Sequence, residues 1–295
     1  MPPPPISLLV PVYNECGAVG ESVLRIAALL KMLPPDSEAI FINDGSRDGS
    51  RELLIEGVSM TANPSMRLLH HDRNRGYGAA LKTGLRAAKH GVIAITDADG
   101  TYPIARIPEL GQIMANEGAT MVVGARPVGD QPVVRQPAKL VLRLLAEHLT
   151  GERIPDLNSG LRLFQKDAAL RHLSLLPDGF SFTTTITMAL LTEGERVLFV
   201  PIRYQARVGS SKIKPLQDTV NFLLLILRTA LAFNPLKVFG PVGLFLIVAG
   251  LTLLALRFAL GQQFGLATTI ALLVGGLQVL AMGLLADLIN RRTPP

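Results

Sequence analysis

The chain has 295 residues, of which 48% are hydrophobic and 18% charged, and its formal net charge is +6. This composition excludes a disordered chain, and the single cysteine, Cys16, excludes an intrachain disulfide bond. Because only 5% of the residues are aromatic and none is tryptophan, stacking of nucleic-acid bases is not expected. The mean hydropathy of +0.36 is high for a soluble enzyme and indicates membrane segments.

Short apolar runs in the first 124 residues predict buried strands, and helical stretches lie between several of them. The runs are 6–12, 38–43, 67–71, 92–96 and 120–124, and the clearest helical stretches are Ala18 to Met32 and Gly78 to Lys89. Strands that alternate with helices predict an α/β fold with a mostly parallel sheet and helices on both faces. Ligands of such sheets bind beyond the carboxyl ends of the strands, where the polar clusters of this sequence fall.

The last 60 residues contain two long uncharged stretches, 238–256 and 258–286. At 1.5 Å per residue the shorter one is about 28 Å long as a helix, close to the hydrocarbon thickness of a bilayer. We therefore expect two transmembrane helices, at about 238–257 and 266–287, joined by a turn that starts at Gly261. A buried helical hairpin of a soluble protein is the alternative interpretation.

Basic residues flank the two predicted spans on one side only. Lys237 precedes the first span, Arg291 and Arg292 follow the second, and the turn carries no charge. This asymmetry predicts a multi-pass protein of the cell membrane whose N-terminal domain and both termini are cytoplasmic.

A third apolar segment, from Lys214 to Phe233, has leucines at helical spacing but is interrupted by polar residues and is too short to span. It predicts an interfacial helix that lies on membrane lipids, with a core helix of the soluble domain as the alternative. The predicted organisation is a cytoplasmic catalytic domain at 1–212, a juxtamembrane interfacial helix at 213–235 and two transmembrane helices within 236–290.

Acidic residues follow the fourth apolar run as Asp97-Ala98-Asp99. Two carboxylates one residue apart at a strand end can bind one Mg²⁺ or Mn²⁺ ion, which normally also takes phosphate oxygens and so indicates a nucleotide diphosphate. Polar residues also end the first two strands, at Pro11–Glu15 and Asn43–Ser50. Ordinary turn chemistry is the alternative for each cluster alone, whereas three clusters on one sheet edge predict a single site.

Seven motifs in order resemble the family-2 glycosyltransferases of the GT-A fold, in the branch of dolichol-phosphate mannose synthases and bacterial polyprenyl-phosphate sugar synthases. They are Pro11–Glu15, Asn43–Ser50, Asn74–Gly78, Asp97–Gly100, Val122–Arg126, Asp156–Arg162 and Arg207–Lys212. The resemblance covers nearly the whole chain. It implies an inverting transfer of a monosaccharide from a nucleotide sugar, linked to GDP or UDP, to a polyprenyl or dolichyl phosphate, with Mg²⁺ or Mn²⁺ as cofactor.

The resemblance also implies roles for individual residues. The residues assigned to the nucleotide sugar are Pro11, Tyr13, Glu15, Asp44, Asp97, Ala98 and Arg207. Asp97 and Asp99 are assigned to the metal, and Arg126, Arg135 and Lys139 to the lipid phosphate. Asp97, Asp99 and Asp156 are assigned to catalysis. Asp156 matches a position proposed as general base in relatives, with an orienting role as the alternative. Thr101 replaces a glutamine metal ligand of the mannose synthases, so water is a candidate for that place.

Other functions remain alternatives at this stage. A transferase of the same fold acting on another lipid or a polysaccharide is one, although the Gln-x-x-Arg-Trp motif of processive synthases needs a tryptophan, which this chain lacks. A non-catalytic membrane scaffold is another. The expected partners are the donor, the polyprenyl phosphate and membrane lipids, without nucleic acid, and a homo-oligomer is left open.

Overall fold

A computed structural model describes residues 3–127, 143–144, 146–179, 181–203, 231, 235–260 and 265–292. Three predicted site residues, Arg135, Lys139 and Arg207, lie outside these ranges. Most of the predicted interfacial segment and most of the predicted turn after Gly261 also lie outside them.

Seven strands form one mixed sheet within the described ranges. They are β1 (Ile6–Val12), β2 (Glu38–Asp44), β3 (Met66–His71), β4 (Val92–Ile95), β5 (Met121–Ala125), β6 (Arg162–Gln165) and β7 (Val197–Pro201), in the order β3-β2-β1-β4-β6-β5-β7. Strand β6 runs antiparallel to β4 and β5, and the other neighbouring pairs are parallel. The mostly parallel sheet is confirmed, and the first five strands match the predicted runs to within one residue.

Helices cover both faces of the sheet, as predicted. They are α1 (Cys16–Leu30), α2 (Ser50–Thr61), α3 (Tyr77–Ala87), α4 (Ile107–Glu117), α5 (Lys166–Arg171) and α6 (Phe182–Thr192). Because side chains alternate along a strand, Leu8 and Val10 of β1 pack with α1, α2 and α4, whereas Leu9 packs with α3, α5 and α6. Strands β1, β2, β4 and β5 are buried on both faces, which explains their continuous apolar runs.

The strand order reverses between β1 and β4, which are parallel neighbours although they are not consecutive in sequence. Ligands of open α/β sheets bind in the crevice beyond the carboxyl ends of strands at such a point. Pro11–Glu15 follow β1 and Asp97–Asp99 follow β4, so the topology brings these two predicted clusters together.

Two long apolar helices, α7 (Pro235–Leu260) and α8 (Leu266–Arg292), form the C-terminal hairpin. Their apolar stretches Pro235–Ala259 and Leu266–Ile289 are long enough to cross a bilayer, and their apolar windows are only 11% and 17% buried within the protein. So little burial does not fit the core hairpin of a soluble protein. Glycines let the helices approach closely: a Cβ atom on Gly276 would lie 2.8 Å from the Gly243 carbonyl oxygen.

The start of this hairpin contacts the α/β domain. The ammonium group of Lys237 donates a hydrogen bond to the carbonyl oxygen of Leu149 at 2.8 Å. Val238 packs against a small apolar cluster that contains Leu149 and Ile154, and Leu157 packs against the same cluster. The chain around residue 156 is thus held next to the first turns of α7.

Candidate active site

The loops after β1 and β2 form one unit at the carboxyl edge of the sheet. The Asn14 backbone N–H donates to Ser46 Oγ at 3.0 Å, and the Arg47 N–H donates to Asn14 Oδ1 at 2.9 Å. Asn14 has a φ of 53°, a left-handed conformation that asparagine tolerates better than most residues. Around this unit, the predicted nucleotide-binding residues Pro11 and Glu15 are half-buried and Tyr13 is exposed.

Asp44 lies below this surface and ties the loop after β3 to β2. Its Oδ1 accepts hydrogen bonds from His71 Nδ1 at 2.7 Å and from the Arg75 N–H at 2.9 Å, and its Oδ2 accepts one from the Gly76 N–H at 2.8 Å. The side chain is only 4% exposed. The predicted nucleotide ligand Asp44 is therefore placed where its contacts shape the loop at Asn74–Gly76.

Asp97 and Asp99 flank the buried Ala98 just beyond β4, and both are half-buried. Asp97 Oδ1 accepts a hydrogen bond from the Tyr77 hydroxyl group at 3.2 Å. Asp99 Oδ1 accepts hydrogen bonds from the Thr101 N–H at 3.1 Å and from the Thr101 hydroxyl at 2.7 Å. Thr101 thus orients Asp99, although the resemblance had suggested only that a metal ligand is missing at this position.

A second wall of the site is the loop from Asp156 to Gly160. The Gly160 N–H donates to the Tyr102 hydroxyl oxygen at 2.7 Å, and a Cβ atom on Gly160 would lie 2.7 Å from Asp97 Oδ2. Only glycine permits this close approach of the loop to the carboxylate. Burial and the charge of Asp97 raise the pKa of both Tyr77 and Tyr102, so both stay protonated and Tyr77 remains a donor to Asp97.

Arg126 and Asp156, predicted to act on the lipid phosphate and in catalysis, form an ion pair. Arg126 donates from Nε to Asp156 Oδ2 at 2.6 Å and from Nη2 to Oδ1 at 2.9 Å, and its backbone N–H also reaches Oδ2 at 3.1 Å. Burial raises the pKa of Asp156, but the hydrogen bonds and charge of Arg126 outweigh burial, so the pKa lies below its usual value. A carboxylate whose pKa is lowered is a weaker general base.

Arg162 is a further candidate for a functional residue, although from the sequence it was identified only as the last residue of the motif Asp156–Arg162. It starts β6 and is fully buried. Its guanidinium donates to the carbonyl oxygens of Ser159 and Thr183 at 3.0 and 2.9 Å and to the Thr187 hydroxyl at 2.8 Å. The signal in the sequence is an arginine within the apolar run 161–164, which is unusual because arginine is rarely buried.

The structure thus gathers all described members of the predicted site at one edge of the sheet. The loops of Asn14 and Asp44 form one side, Asp97 and Asp99 the centre, and the Arg126–Asp156 pair the other side, joined to the centre through Gly160. Within the described residues, no three His, Cys, Asp or Glu side chains are grouped as metal ligands. A divalent ion at Asp97 and Asp99 would need substrate or water oxygens to complete its coordination.

A family model described as "Glycosyl transferase family 2" matches residues 7–173, more than half of the chain. The chain belongs to glycosyl transferase family 2. A second model, described as "GtrB C-terminal hairpin", matches residues 234–291 and so contains most of α7 and α8. Together they confirm the resemblance, the fold class and the predicted pair of membrane-spanning helices.

Family-2 relatives cover almost all of this chain. It is 29% identical to an undecaprenyl-phosphate 4-deoxy-4-formamido-L-arabinose transferase of Salmonella paratyphi A, over 97% of this chain and 88% of the relative. It is 30% identical to a transferase of the same description from Pseudomonas fluorescens, over 97% of this chain and 85% of the relative. The similarity thus includes the membrane hairpin.

Solved structures confirm the GT-A fold of this family-2 chain. Glucosyl-3-phosphoglycerate synthase from Mycobacterium tuberculosis, in complex with Mn²⁺, uridine diphosphate and phosphoglyceric acid, superposes with a TM-score of 0.59 at 19% identity. The superposition covers 77% of this chain and 78% of that one. At this identity the likeness shows the fold alone.

Proposed function

We propose that the protein transfers a monosaccharide from a nucleotide sugar to a polyprenyl phosphate at the cytoplasmic face of the membrane. One observation carries the proposal: Asp156, which holds Arg126, lies between two residues of an apolar cluster that also contacts the start of the membrane hairpin. Ile154 belongs to the apolar cluster that Val238 joins, and Leu157 packs against it. This arrangement supports a role for Arg126 in binding a lipid phosphate close to the start of the membrane hairpin.

The donor side is built by the loops after β1, β2 and β4. We assign Pro11, Tyr13, Glu15 and Asp44 to the nucleotide, and Asp97 and Ala98 to the nucleotide sugar. Asp44 also supports the neighbouring loop. Two carboxylates, Asp97 and Asp99, fit a Mg²⁺ or Mn²⁺ ion, because this hard cation prefers oxygen ligands and binds diphosphate oxygens as well. When bound, the ion neutralises charge on the leaving diphosphate.

The acceptor side needs cations more than it needs a base. The second pKa of a phosphate monoester is about 6, so the polyprenyl phosphate is largely ionised at neutral pH. Its oxygen forms the new bond to C1 of the sugar from the face opposite the diphosphate, whose bond to C1 breaks, and the configuration inverts. Asp156 then acts by orienting Arg126. We assign Arg135 and Lys139 to further contacts with the lipid phosphate and Arg207 to the nucleotide diphosphate; all three lie outside the described residues.

The direct test is transfer of radiolabelled sugar from a panel of UDP- and GDP-sugars into lipid extracted by organic solvent. Asp99→Asn is expected to abolish transfer in Mg²⁺ or Mn²⁺ while the unfolding temperature stays close to that of the unchanged protein. Asp167→Asn is the matched control, because Asp167 is exposed at the start of α5, at the opposite edge of the sheet. No transfer by the unchanged protein from any donor would favour the scaffold alternative.

The domain organisation and topology remain part of the proposal: a cytoplasmic catalytic domain at 1–212, an interfacial helix at 213–235 and two spans within 236–290. Cys16 provides a test, since it is exposed and is the single cysteine of the chain. A membrane-impermeant maleimide is expected to label Cys16 in lysed cells and not in intact cells. A Cys16→Ser variant with a cysteine at Gln262 is the control, expected to react in intact cells. Labelling of Cys16 in intact cells would contradict the cytoplasmic placement.

A further inference from the structure

The fully buried Arg162 lies directly beneath the loop that forms one wall of the site. Its Nη2 donates to the Ser159 carbonyl oxygen at 2.5 Å and reaches the Leu157 carbonyl oxygen at 3.4 Å. Its Nη1 donates to the carbonyl oxygen of Thr183 and to the hydroxyl of Thr187, both on helix α6. The guanidinium therefore joins the loop from Asp156 to Gly160 to a helix of the core.

The hydrogen-bond partners of Arg162 are neutral. They are backbone carbonyl oxygens and one hydroxyl, so no carboxylate within the described part of the chain shares a hydrogen bond with this buried cation. Burial lowers the pKa of Arg162 to about 10, and the side chain stays charged at neutral pH. Burying a cation without a hydrogen-bonded anion is costly, and an apolar residue of similar volume would fill the same space more cheaply.

Both ends of the loop that Arg162 holds contact residues of the proposed active site. At one end Asp156 fixes the guanidinium of Arg126 through two side-chain hydrogen bonds. At the other end Gly160 lies against the Asp97 carboxylate and donates its N–H to Tyr102. The loop is also bound to α6 by the Thr184 hydroxyl, which donates to Asn158 Oδ1 at 2.6 Å.

We propose that Arg162 is a positioning residue for the transfer reaction. The N–H donors of its guanidinium fix the conformation of the loop from Asp156 to Gly160, and this loop aligns Arg126 with Asp97. This inference rests on the proposed function for its kinetic consequence. Its charge also lies under the place where two phosphates must approach each other. Lysine in its place keeps the charge but supplies donors from one nitrogen atom, so it cannot reproduce the fork to several carbonyl oxygens.

A matched pair of threonines in α6 separates positioning from general stability. Thr187 and Thr185 are both buried, and both hydroxyl groups donate to the carbonyl oxygen four residues earlier in the helix. Thr187 alone of the two accepts a hydrogen bond from Arg162. Thr187→Val and Thr185→Val therefore remove the same groups from the same helix, and only the first disturbs the guanidinium.

The experiment measures kcat and both KM values per folded protein, together with hydrogen–deuterium exchange of residues 156–160. Arg162→Lys is expected to raise the acceptor KM about tenfold and to lower kcat, since hydrogen bonds to a charged group are lost. Thr187→Val is expected to raise the acceptor KM and to lower kcat, each by about threefold, and to accelerate exchange in the loop. Thr185→Val is expected to change neither the kinetic constants nor the exchange.

Equal kinetic constants and equal exchange in Thr187→Val and Thr185→Val would overturn the inference, as would unchanged constants in Arg162→Lys. Both outcomes leave the proposed function intact, because the unchanged protein still transfers sugar. If the unchanged protein transfers nothing, the proposed function fails, while the exchange comparison still reports whether Arg162 sets the loop.

Discussion

The Arg126–Asp156 pair allows a quantitative test of what Asp156 does. Two roles are open to this carboxylate: general base for the acceptor, or holder of the guanidinium that binds the acceptor phosphate. The structure favours the second, because both carboxylate oxygens accept hydrogen bonds from Arg126 and the pKa of Asp156 is lowered. Asp156→Asn and Arg126→Met, alone and combined, form a double-mutant cycle that separates the two roles.

The size of the expected coupling follows from the burial of the pair. The Asp156 side chain is 5% exposed and that of Arg126 is 18% exposed, so water screens their interaction only weakly. Two charge-assisted hydrogen bonds in such surroundings contribute about 2 kcal/mol of coupling. At 1.36 kcal/mol per factor of ten, this is about 30-fold in acceptor affinity. In Asp156→Asn, the amide NH2 group would face an N–H donor of Arg126, so it cannot accept the hydrogen bond that the second carboxylate oxygen accepts.

The assay is initial-rate transfer with varied polyprenyl phosphate at saturating donor. If Asp156 holds Arg126, each single variant raises the acceptor KM about 30-fold, the combined variant is hardly worse than either, and kcat changes little. A general base predicts a different pattern: Asp156→Asn lowers kcat by about 10²–10⁴-fold, and this loss multiplies with that of Arg126→Met. Additive effects concentrated in kcat would therefore refute the holding role.

Two glycine contacts give further predictions, each with a matched control. Gly160→Ala is expected to lower kcat at least about tenfold and to change the unfolding temperature little, because the added Cβ atom would displace the Asp97 side chain. Gly179→Ala is the control: a Cβ atom there has no neighbouring atom within 4 Å, so kcat should stay unchanged. Equal rates in both variants would contradict this geometry. Gly276→Ala is expected to lower the unfolding temperature in detergent, since its Cβ atom would lie 2.8 Å from a backbone oxygen of the facing helix. Gly275→Ala is the control and is expected to leave the unfolding temperature unchanged, because its Cβ atom would have no neighbouring atom within 4 Å. An unchanged unfolding temperature in Gly276→Ala would contradict the close packing of the hairpin.

Much of the fold could be predicted because its signals are local. The first five strands were predicted from apolar runs that end in Gly, Asp or Asn. Burial of β1, β2, β4 and β5 on both faces makes such runs easy to see. The two membrane helices follow from length and composition alone. Strands β6 and β7 were not predicted: β6 is four residues long and begins with the charged Arg162, and β7 is only partly buried. Short strands of mixed character take their structure from their neighbours in the sheet.

The site was harder to predict because its decisive contacts join residues far apart in sequence. The resemblance assigned Arg126 to a phosphate and Asp156 to catalysis, and their pairing across 30 positions appears only in the folded chain. The assignment of Asp44 to the nucleotide stays a prediction, and the structure adds that its carboxylate accepts hydrogen bonds from His71 and from the loop after β3. A carboxylate at a strand end carries the same sequence signal whether it contacts a ligand or supports a loop.

Charge around the acceptor side connects the ion pair, the buried arginine and the membrane. Since Arg126 is paired with Asp156, in the proposed function it would offer the lipid phosphate an oriented donor more than a net positive charge. Two phosphates close together still repel each other, so the remaining positive charge must come from elsewhere. Arg162, which has no carboxylate among its described hydrogen-bond partners, would supply one such charge from beneath the loop. The proposed contacts of Arg135 and Lys139 would then provide net charge at the surface, and Arg126 would set where the phosphate oxygen lies relative to the sugar.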